Sequence, residues 1–474
     1  MNDYNVLDIE KMVRSIVKDM KMEMVKSKED ESKDDESDSF GIFEDMNEAI
    51  KAAALSQRLY LRYSLKKRSE IVNSIRVELL KNIEQLSKMG VEETGMGRYE
   101  DKILKNKLAI EKSPGIEDLK PEVDTGDGGL TLYEMSPFGV IGSITPSTNP
   151  TETVICNTIG MLAAGNSVVF SPHPSAKKVT ALIVKIINKA IEKVDGPKNL
   201  VVTVKEPSIE NTNLMLAHEK VNMICATGGP GIVKIALSSG KKAIGAGAGN
   251  PPVVVDETAD VEKAAIDIID GCSFDNNLPC IAEKEVIVVD KVADKLMECM
   301  ANYCAMKITD IKLLNKLEKL VLNEKGKINK KFVGKNADYI MEHLGIKIDP
   351  RIRVIFAEVD KDHPFAVEEL MMPILPIIRV ANVDRAIELA IKLENGNRHT
   401  AIMHSKNIDN LSKFAKDVQT TIFVKNAPSY AGIGFGTEGH STFTIAGPTG
   451  EGLTSAKTFT RKRRCVLADT FSIK

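Results

Sequence analysis

No run of apolar residues in this chain approaches the roughly 18 needed for a helix to cross a bilayer, so no membrane span is expected. Cysteine is sparse: seven in 474 residues, at 156, 225, 272, 280, 299, 304 and 465. None forms a CxxC pair, and an odd number so scattered argues against a disulfide framework or a structural zinc site. A reducing, cytoplasmic setting is expected, with no metal. An excess of one charge is also lacking: 64 basic and 66 acidic residues leave a formal net charge of −2. Such a chain projects no strong field towards nucleic acid or an anionic membrane. The first residues have neither a continuous apolar core nor a small-residue cleavage site, so no secretory signal is expected. There is no internal repeat.

Residues 1–26 carry Val6, Ile9, Val13, Ile16, Val17 and Met20 at steps of three and four, with Asp8, Glu10, Lys11, Arg14, Lys18 and Asp19 between them. This spacing predicts a short amphipathic helix. Residues 27–39 contain no apolar side chain, cannot offset their ordering entropy by burial, and are expected to be a disordered acidic linker. A helix with an apolar face on a solvated tether either packs on its own globule or docks on an external partner. The tether favours the partner.

Residues 40–120 read as charged helices, and 121–138 as a Gly-rich, protruding hairpin. The next hundred residues alternate. Strands are expected at Val140–Thr145, Ser167–Ser171, Leu200–Val204, Val221–Ala226 and Lys242–Ala246, with a helix after each of the first four. Short apolar runs separated by helices predict a doubly wound parallel sheet, which takes ligands at the carboxyl ends of its strands. A second α/β pattern follows Pro252, with strands expected at Val253–Val255, Val286–Val289, Val354–Ala357, Leu375–Val380, Thr400–His404 and Thr421–Val424. Helices are expected at Val261–Gly271, Ala293–Ala305 and Val383–Glu394. The basic cluster from Arg461 to Arg464 lacks interleaved aromatics, which favours a solvated or subunit-contact strand over a nucleic-acid patch.

Candidate chemistry centres on Ser273-Phe274-Asp275-Asn276-Asn277-Leu278-Pro279-Cys280. Most lone cysteines are small hydrophobes, and Cys156, Cys225, Cys272, Cys299 and Cys304 lie in apolar runs that suit that role. Cys280 follows Pro in a polar, Asn-rich loop, the setting of a nucleophile that can hold an acyl group as a thioester. Thr227-Gly228-Gly229-Pro230-Gly231 closes a strand and opens a helix, where free N–H groups and bare backbone suit a phosphate. The run Gly245–Asn250, including Gly247, precedes no helical pattern. It is read as a side-chain-free surface against a flat ligand.

Several segments resemble the CoA-acylating aldehyde dehydrogenases: Pro137-Phe138-Gly139-Val140-Ile141-Gly142, Thr145-Pro146-Ser147-Thr148-Asn149-Pro150-Thr151-Glu152-Thr153, residues 163–174, the Cys280 loop, residues 368–376 and Gly447-Pro448-Thr449-Gly450-Glu451-Gly452. They occur in the family's order over about residues 40–466. The likeness is nearest to the propionaldehyde and acetaldehyde dehydrogenases of bacterial microcompartments and to clostridial butyraldehyde enzymes.

The resemblance implies an aldehyde dehydrogenase-like α/β fold with two doubly wound domains and a small β oligomerisation element. The NAD/CoA-binding domain would span 40–120 and 139–246, the catalytic domain 247–433, and the oligomerisation element 121–138 with 434–466. It implies that Cys280 is the nucleophile and that Asn149, or Thr148 if the register differs by one, is the oxyanion donor. Thr145, Pro146, Ser171, Pro172, Thr227, Gly228, Gly229, Gly247 and Glu369 would contact the cofactors. NAD and coenzyme A would use one site in turn, and no basic residue is evident for a 2′-phosphate. Hydrolytic relatives carry a general-base Glu where Ala246 stands, so its absence favours thiolysis. The implied reaction joins a short-chain aldehyde to CoA in a homodimer or homotetramer. Residues 1–20 would direct the enzyme to a microcompartment shell or cargo protein. Hydrolytic dehydrogenase, acyl-phosphate reductase and non-enzymatic scaffold are the competing readings.

Overall fold

A computed structural model describes residues 40–473. The expected N-terminal helix and the whole of the acidic linker lie outside the described residues. Between residues 140 and 255, short Val/Ile-rich runs buried on both faces alternate with helices, and that pattern builds parallel sheets. The first sheet runs in the order Ile42–Phe43, Val201–Val204, Ser167–Pro172, Val140–Thr145, Val221–Thr227, Lys242–Ala246, with every neighbouring pair parallel. Chain order reverses beside Val140–Thr145, which opens the crevice where such sheets take ligands.

The second sheet has seven parallel strands. They run Ala305–Lys307, Val354–Glu358, Ile374–Val380, Glu285–Val289, Pro252–Val255, Thr400–His404, Ile422–Lys425. A third, antiparallel sheet joins Glu122–Gly126 and Gly129–Pro137 to the C-terminal strand Thr460–Ala468. From Gly41 onward the chain is one compact unit.

Two edge strands were not foreseen, Ile42–Phe43 and Ala305–Lys307, because segments this short carry no periodicity. The helix expected to run to Ala305 stops at Asn302. Cys304 takes a left-handed φ of 57° there and turns the chain into the edge strand. That also corrects the core reading of Cys304, which is half-exposed at the turn; Cys156, Cys225 and Cys272 are buried in the core, and Cys299 packs against it partly buried.

The helix Pro150–Ala163 positions the site. All fourteen of its residues are buried, so it is fixed from every side. Burying each large aliphatic side chain is worth roughly 1.5–3 kcal/mol, which anchors the helix N-terminus at Asn149 against the loop that carries Cys280.

Candidate active site

The turn before Cys280 is built from residues suited to an unusual backbone. Asp275, Asn276 and Asn277 take φ values of 49°, 55° and 67° in succession. Left-handed residues other than glycine are costly, and Asp and Asn tolerate the region best. Side-chain bonds hold each one. Asp275 Oδ1 accepts from the Arg98 N–H at 2.8 Å, and the Asp275 N–H donates to Asp101 at 3.0 Å. Asn276 donates to the Gly334 carbonyl and to Asn336. Asn277 donates to the carbonyls of Cys272 and Glu283, and its own carbonyl and Oδ1 accept from Lys284 at 3.0 and 2.6 Å. The turn is rigid, and Pro279-Cys280 leaves it in a fixed direction.

Asn149 caps the buried helix and meets this turn: its Nδ2 lies 3.4 Å from the Leu278 carbonyl and 3.4 Å from Thr148 Oγ1. Both contacts are long for hydrogen bonds, so the amide hydrogens remain available to a stronger acceptor. Thr148 is half-buried, and its backbone carbonyl accepts from Lys102 at 2.8 Å.

The thiol of Cys280 is half-buried by its own surface yet enclosed by neighbours. Burial, assisted by the Glu369 carboxylate, pushes it up to about 12, while Lys284 pulls it down. It is therefore a thiol at neutral pH until added positive charge or a proton acceptor favours the thiolate. Glu369 is itself raised, chiefly by burial; Lys284 and the N–H of Gly249 oppose the rise.

Gly249 is the meeting point. A Cβ there would come 2.6 Å from the Cys280 carbonyl and 3.0 Å from the ring of His399. His399 had drawn no attention in the sequence. It is buried, its Nδ1 meets Thr400 Oγ1 at 2.9 Å, and its Nε2 has no partner. Burial, assisted by Lys284, pushes its imidazole down to about 4, so it is neutral at pH 7 and a weak base. A lone His after Asn-Gly-Asn-Arg gave no signal by spacing. Lys102, Lys105 and Glu152 were missed as well. The first two looked like a solvated helix face, yet all three are buried at the base of Asn149.

The cofactor candidates line one rim. Thr145 pairs in register with Pro172, and Thr227 with Ala246, at the carboxyl ends of adjacent strands. Pro146 follows half-buried, and the buried Thr145 hydroxyl has no partner. Gly228 donates to the Ala246 carbonyl at 3.1 Å. A Cβ at Gly229, Gly231 or Gly247 would meet nothing within 4 Å. The helix Pro230–Leu237 starts from Gly229, and its first N–H groups lack intrahelical partners. An unpartnered hydroxyl, bare glycine backbone and a helix start fit a pyrophosphate and flat rings. Ser171 is buried and its hydroxyl meets Thr212 at 2.8 Å, which leaves a lone pair for a further contact. Thr227 Oγ1 is likewise shared with Thr444 at 2.8 Å. No cluster of three or more His, Cys, Asp or Glu suited to a metal occurs among the described residues, nor does a helix long and apolar enough to cross a membrane.

Residues 41–446 match the sequence profile of the aldehyde dehydrogenase family. A CoA-propanoylating propanal dehydrogenase of Salmonella typhimurium is 52% identical, covering 92% of this chain and 93% of the relative. The crystal structure of Rhodopseudomonas palustris propionaldehyde dehydrogenase, with bound CoA and an acylated cysteine, is 60% identical with a TM-score of 0.91. It covers 92% of this chain and 100% of that one. A propionaldehyde dehydrogenase from the Clostridium phytofermentans fucose utilisation bacterial microcompartment is 53% identical, TM-score 0.90, over 92% and 100% of the two chains. With profile, identity and fold agreeing over nine-tenths of its length, the chain belongs to the aldehyde dehydrogenase family, among its CoA-acylating members.

Proposed function

We propose that this protein converts a short-chain aldehyde to its acyl-CoA, and the acyl-CoA back to aldehyde, through a thioester on Cys280. The observation that carries this reading is the convergence of the Cys280 sulfur, the Asn149 amide and the Glu369 carboxylate on one rigid turn beside a bare strand-end rim. Residues 40–120 and 139–246 would hold the cofactors and 247–433 the nucleophile. When bound, NAD takes up hydride and CoA supplies the accepting thiol. Thr145, Pro146, Ser171, Pro172, Thr227, Gly228, Gly229 and Gly247 are the residues that would hold them, with Glu369 near the reacting end.

The chemistry of the chain's own groups follows. The Cys280 sulfur gives up its proton and bonds to the aldehyde carbon, moving the carbonyl π pair onto oxygen. Asn149 Nδ2 and the Cys280 backbone N–H donate to that oxyanion. The thiol proton leaves to solvent, because His399, whose ring lies against Gly249, is made too weak a base by burial to hold it. Collapse of the oxyanion expels hydride from carbon and leaves the Cys280 thioester. An incoming thiol then loses its proton, bonds to the same carbon, and the second collapse expels Cys280 thiolate. Ala246 offers no base to water, so a thiol of ordinary pKa about 8.5 is the easier acceptor.

The test measures NADH absorbance at 340 nm with acetaldehyde, propionaldehyde and butyraldehyde. Formation dependent on CoA, with acyl-CoA as product, is expected. NADH formation indifferent to CoA, with free acid as product, or formation dependent on phosphate, would replace this reading with a hydrolytic or acyl-phosphate one.

We further propose a homodimer or homotetramer joined through the three-stranded sheet, where Val123 and Val466 are exposed at 51% and 59%. Residues 1–20 are proposed to bind a shell or cargo protein of a bacterial microcompartment. Their deletion should leave specific activity intact and release the enzyme from purified shells; unchanged co-purification contradicts the targeting role.

A further inference from the structure

Four charged side chains lie at most 2% exposed beneath the site: Lys102, Lys105, Glu152 and Asp275. Lys105 Nζ contacts Asp275 Oδ2 at 2.5 Å, Glu152 Oε1 at 3.0 Å and Asn149 Oδ1 at 2.5 Å. Lys102 Nζ reaches Asp275 Oδ2 at 2.9 Å and the Thr148 carbonyl at 2.8 Å. An ammonium has three hydrogens and no acceptor. Lys105 donates to Asp275 Oδ2 and Asn149 Oδ1 and is ion-paired with Glu152, and because it can only donate, the Asn149 atom facing it must be the carbonyl oxygen. The amide hydrogens are thereby turned towards the Leu278 carbonyl and the Cys280 loop.

Stability alone does not account for this arrangement. Buried ion pairs recover little beyond their desolvation cost, and well-packed apolar replacements are often as stable or more so. What the charges do is tie together three things that must stay in register: the amide donor, the backbone of Thr148, and the left-handed turn leading to Cys280. The field of Lys105 also reaches the Cys280 sulfur and favours its ionised form.

We propose that Lys105 is a positioning residue for the acyl-transfer reaction: through Asn149 Oδ1 and Asp275 Oδ2 it fixes the amide donor and the nucleophile turn in one geometry. This rests on Asn149 as the oxyanion donor. Lys105 acts most on the transition state, where the donor is used, and little on substrate affinity.

The test pairs Lys105→Met with Glu152→Gln, so that the cluster stays neutral with Lys102 and Asp275 matched. The kcat should fall on the order of 10- to 100-fold, bounded by the loss expected for removing the donor outright. The KM values for aldehyde and CoA should stay within about threefold. In the Asn149→Ala background the same pair should cost several-fold less than in wild type, because the donor it positions is gone and only its hold on the Asp275 turn remains. Lys105→Gln with Glu152→Gln, which restores a neutral donor, should recover part of the rate. Should the apolar pair not fold, Lys105→Arg carries the test: it keeps the charge, displaces the donor, and should lower kcat with KM unchanged. A kcat within threefold of wild type in the folded variant, or equal losses in both Asn149 backgrounds, overturns the proposal. Asn149→Ala losing less than threefold by itself removes the oxyanion assignment instead, and the two failures are thus distinguishable.

Discussion

Replacing Asn149 with Ala removes two things whose costs can be separated. The first is the amide donor to the oxyanion. A donor of this kind is worth roughly 100- to 1000-fold in kcat, or about 2.7–4 kcal/mol. The second is the carbonyl oxygen that accepts from Lys105 at 2.5 Å. Its loss leaves one hydrogen of a buried ammonium without a partner, at about 1–3 kcal/mol of folding stability. Asn149→Asp divides these terms. A carboxylate still accepts from Lys105 but has no hydrogen to donate, sets a negative charge beside the developing oxyanion, and adds an unmatched charge to a buried cluster of two lysines and two carboxylates, which costs stability while it is ionised. Stopped-flow measurement of the first NADH turnover, alongside urea unfolding of each variant, reads both quantities. Both variants should lose at least 100-fold in rate and both should lose stability at neutral pH, but only the Asp variant should regain it as pH falls and its buried carboxyl takes up a proton. A rate loss below threefold in Asn149→Ala, with a large loss in Thr148→Ala, would refute the assignment and move the donor to Thr148.

Ala246→Glu should introduce a base at the strand-end rim and raise aldehyde oxidation to free acid in the absence of CoA. No acid above the wild-type background leaves the missing-base explanation without support. Glu283 provides a pH test. Burial raises its carboxyl to about 8, although Ser429, its principal partner through Oγ and N–H, and Lys284 lower it. A carboxyl raised on folding contributes stability that is complete below its unfolded pKa of about 4.3 and is lost as pH climbs towards 8. Glu283→Gln removes that titration, so its stability relative to wild type should improve by roughly 1.4 kcal/mol per pH unit between about pH 5 and 8. A pH-independent difference in denaturation midpoints contradicts the shift.

Much of the fold was legible because the strands of a doubly wound sheet are buried on both faces and announce themselves as Val/Ile runs between Gly- or Pro-marked turns. The strand Val140–Thr145 was placed at both ends, as were Lys242–Ala246 and the helix Val383–Glu394. Segments of two or three residues, such as Ile42–Phe43, carry no such signature. The Cys280 loop was legible by composition, and its Asp-Asn-Asn run now has a physical reason in three consecutive left-handed residues. The supporting charges were not legible. Lys102 and Lys105 sit on a helix with Lys107, Glu111 and Lys112, as any solvated face might. Their burial depends on partners such as Asp275, 170 residues further along the chain from Lys105. His399 was equally hidden: its significance lies in its contact with bare Gly249, which only the folded chain creates.

The most direct test of the central claim is covalent. Incubation with isotopically labelled propionaldehyde and NAD, without CoA, followed by acid quench, digestion and mass spectrometry, should place an acyl mass on the peptide containing Cys280. Addition of CoA before the quench should discharge that label as acyl-CoA. Label on any other side chain, no label at all, or label that CoA fails to release would contradict the account.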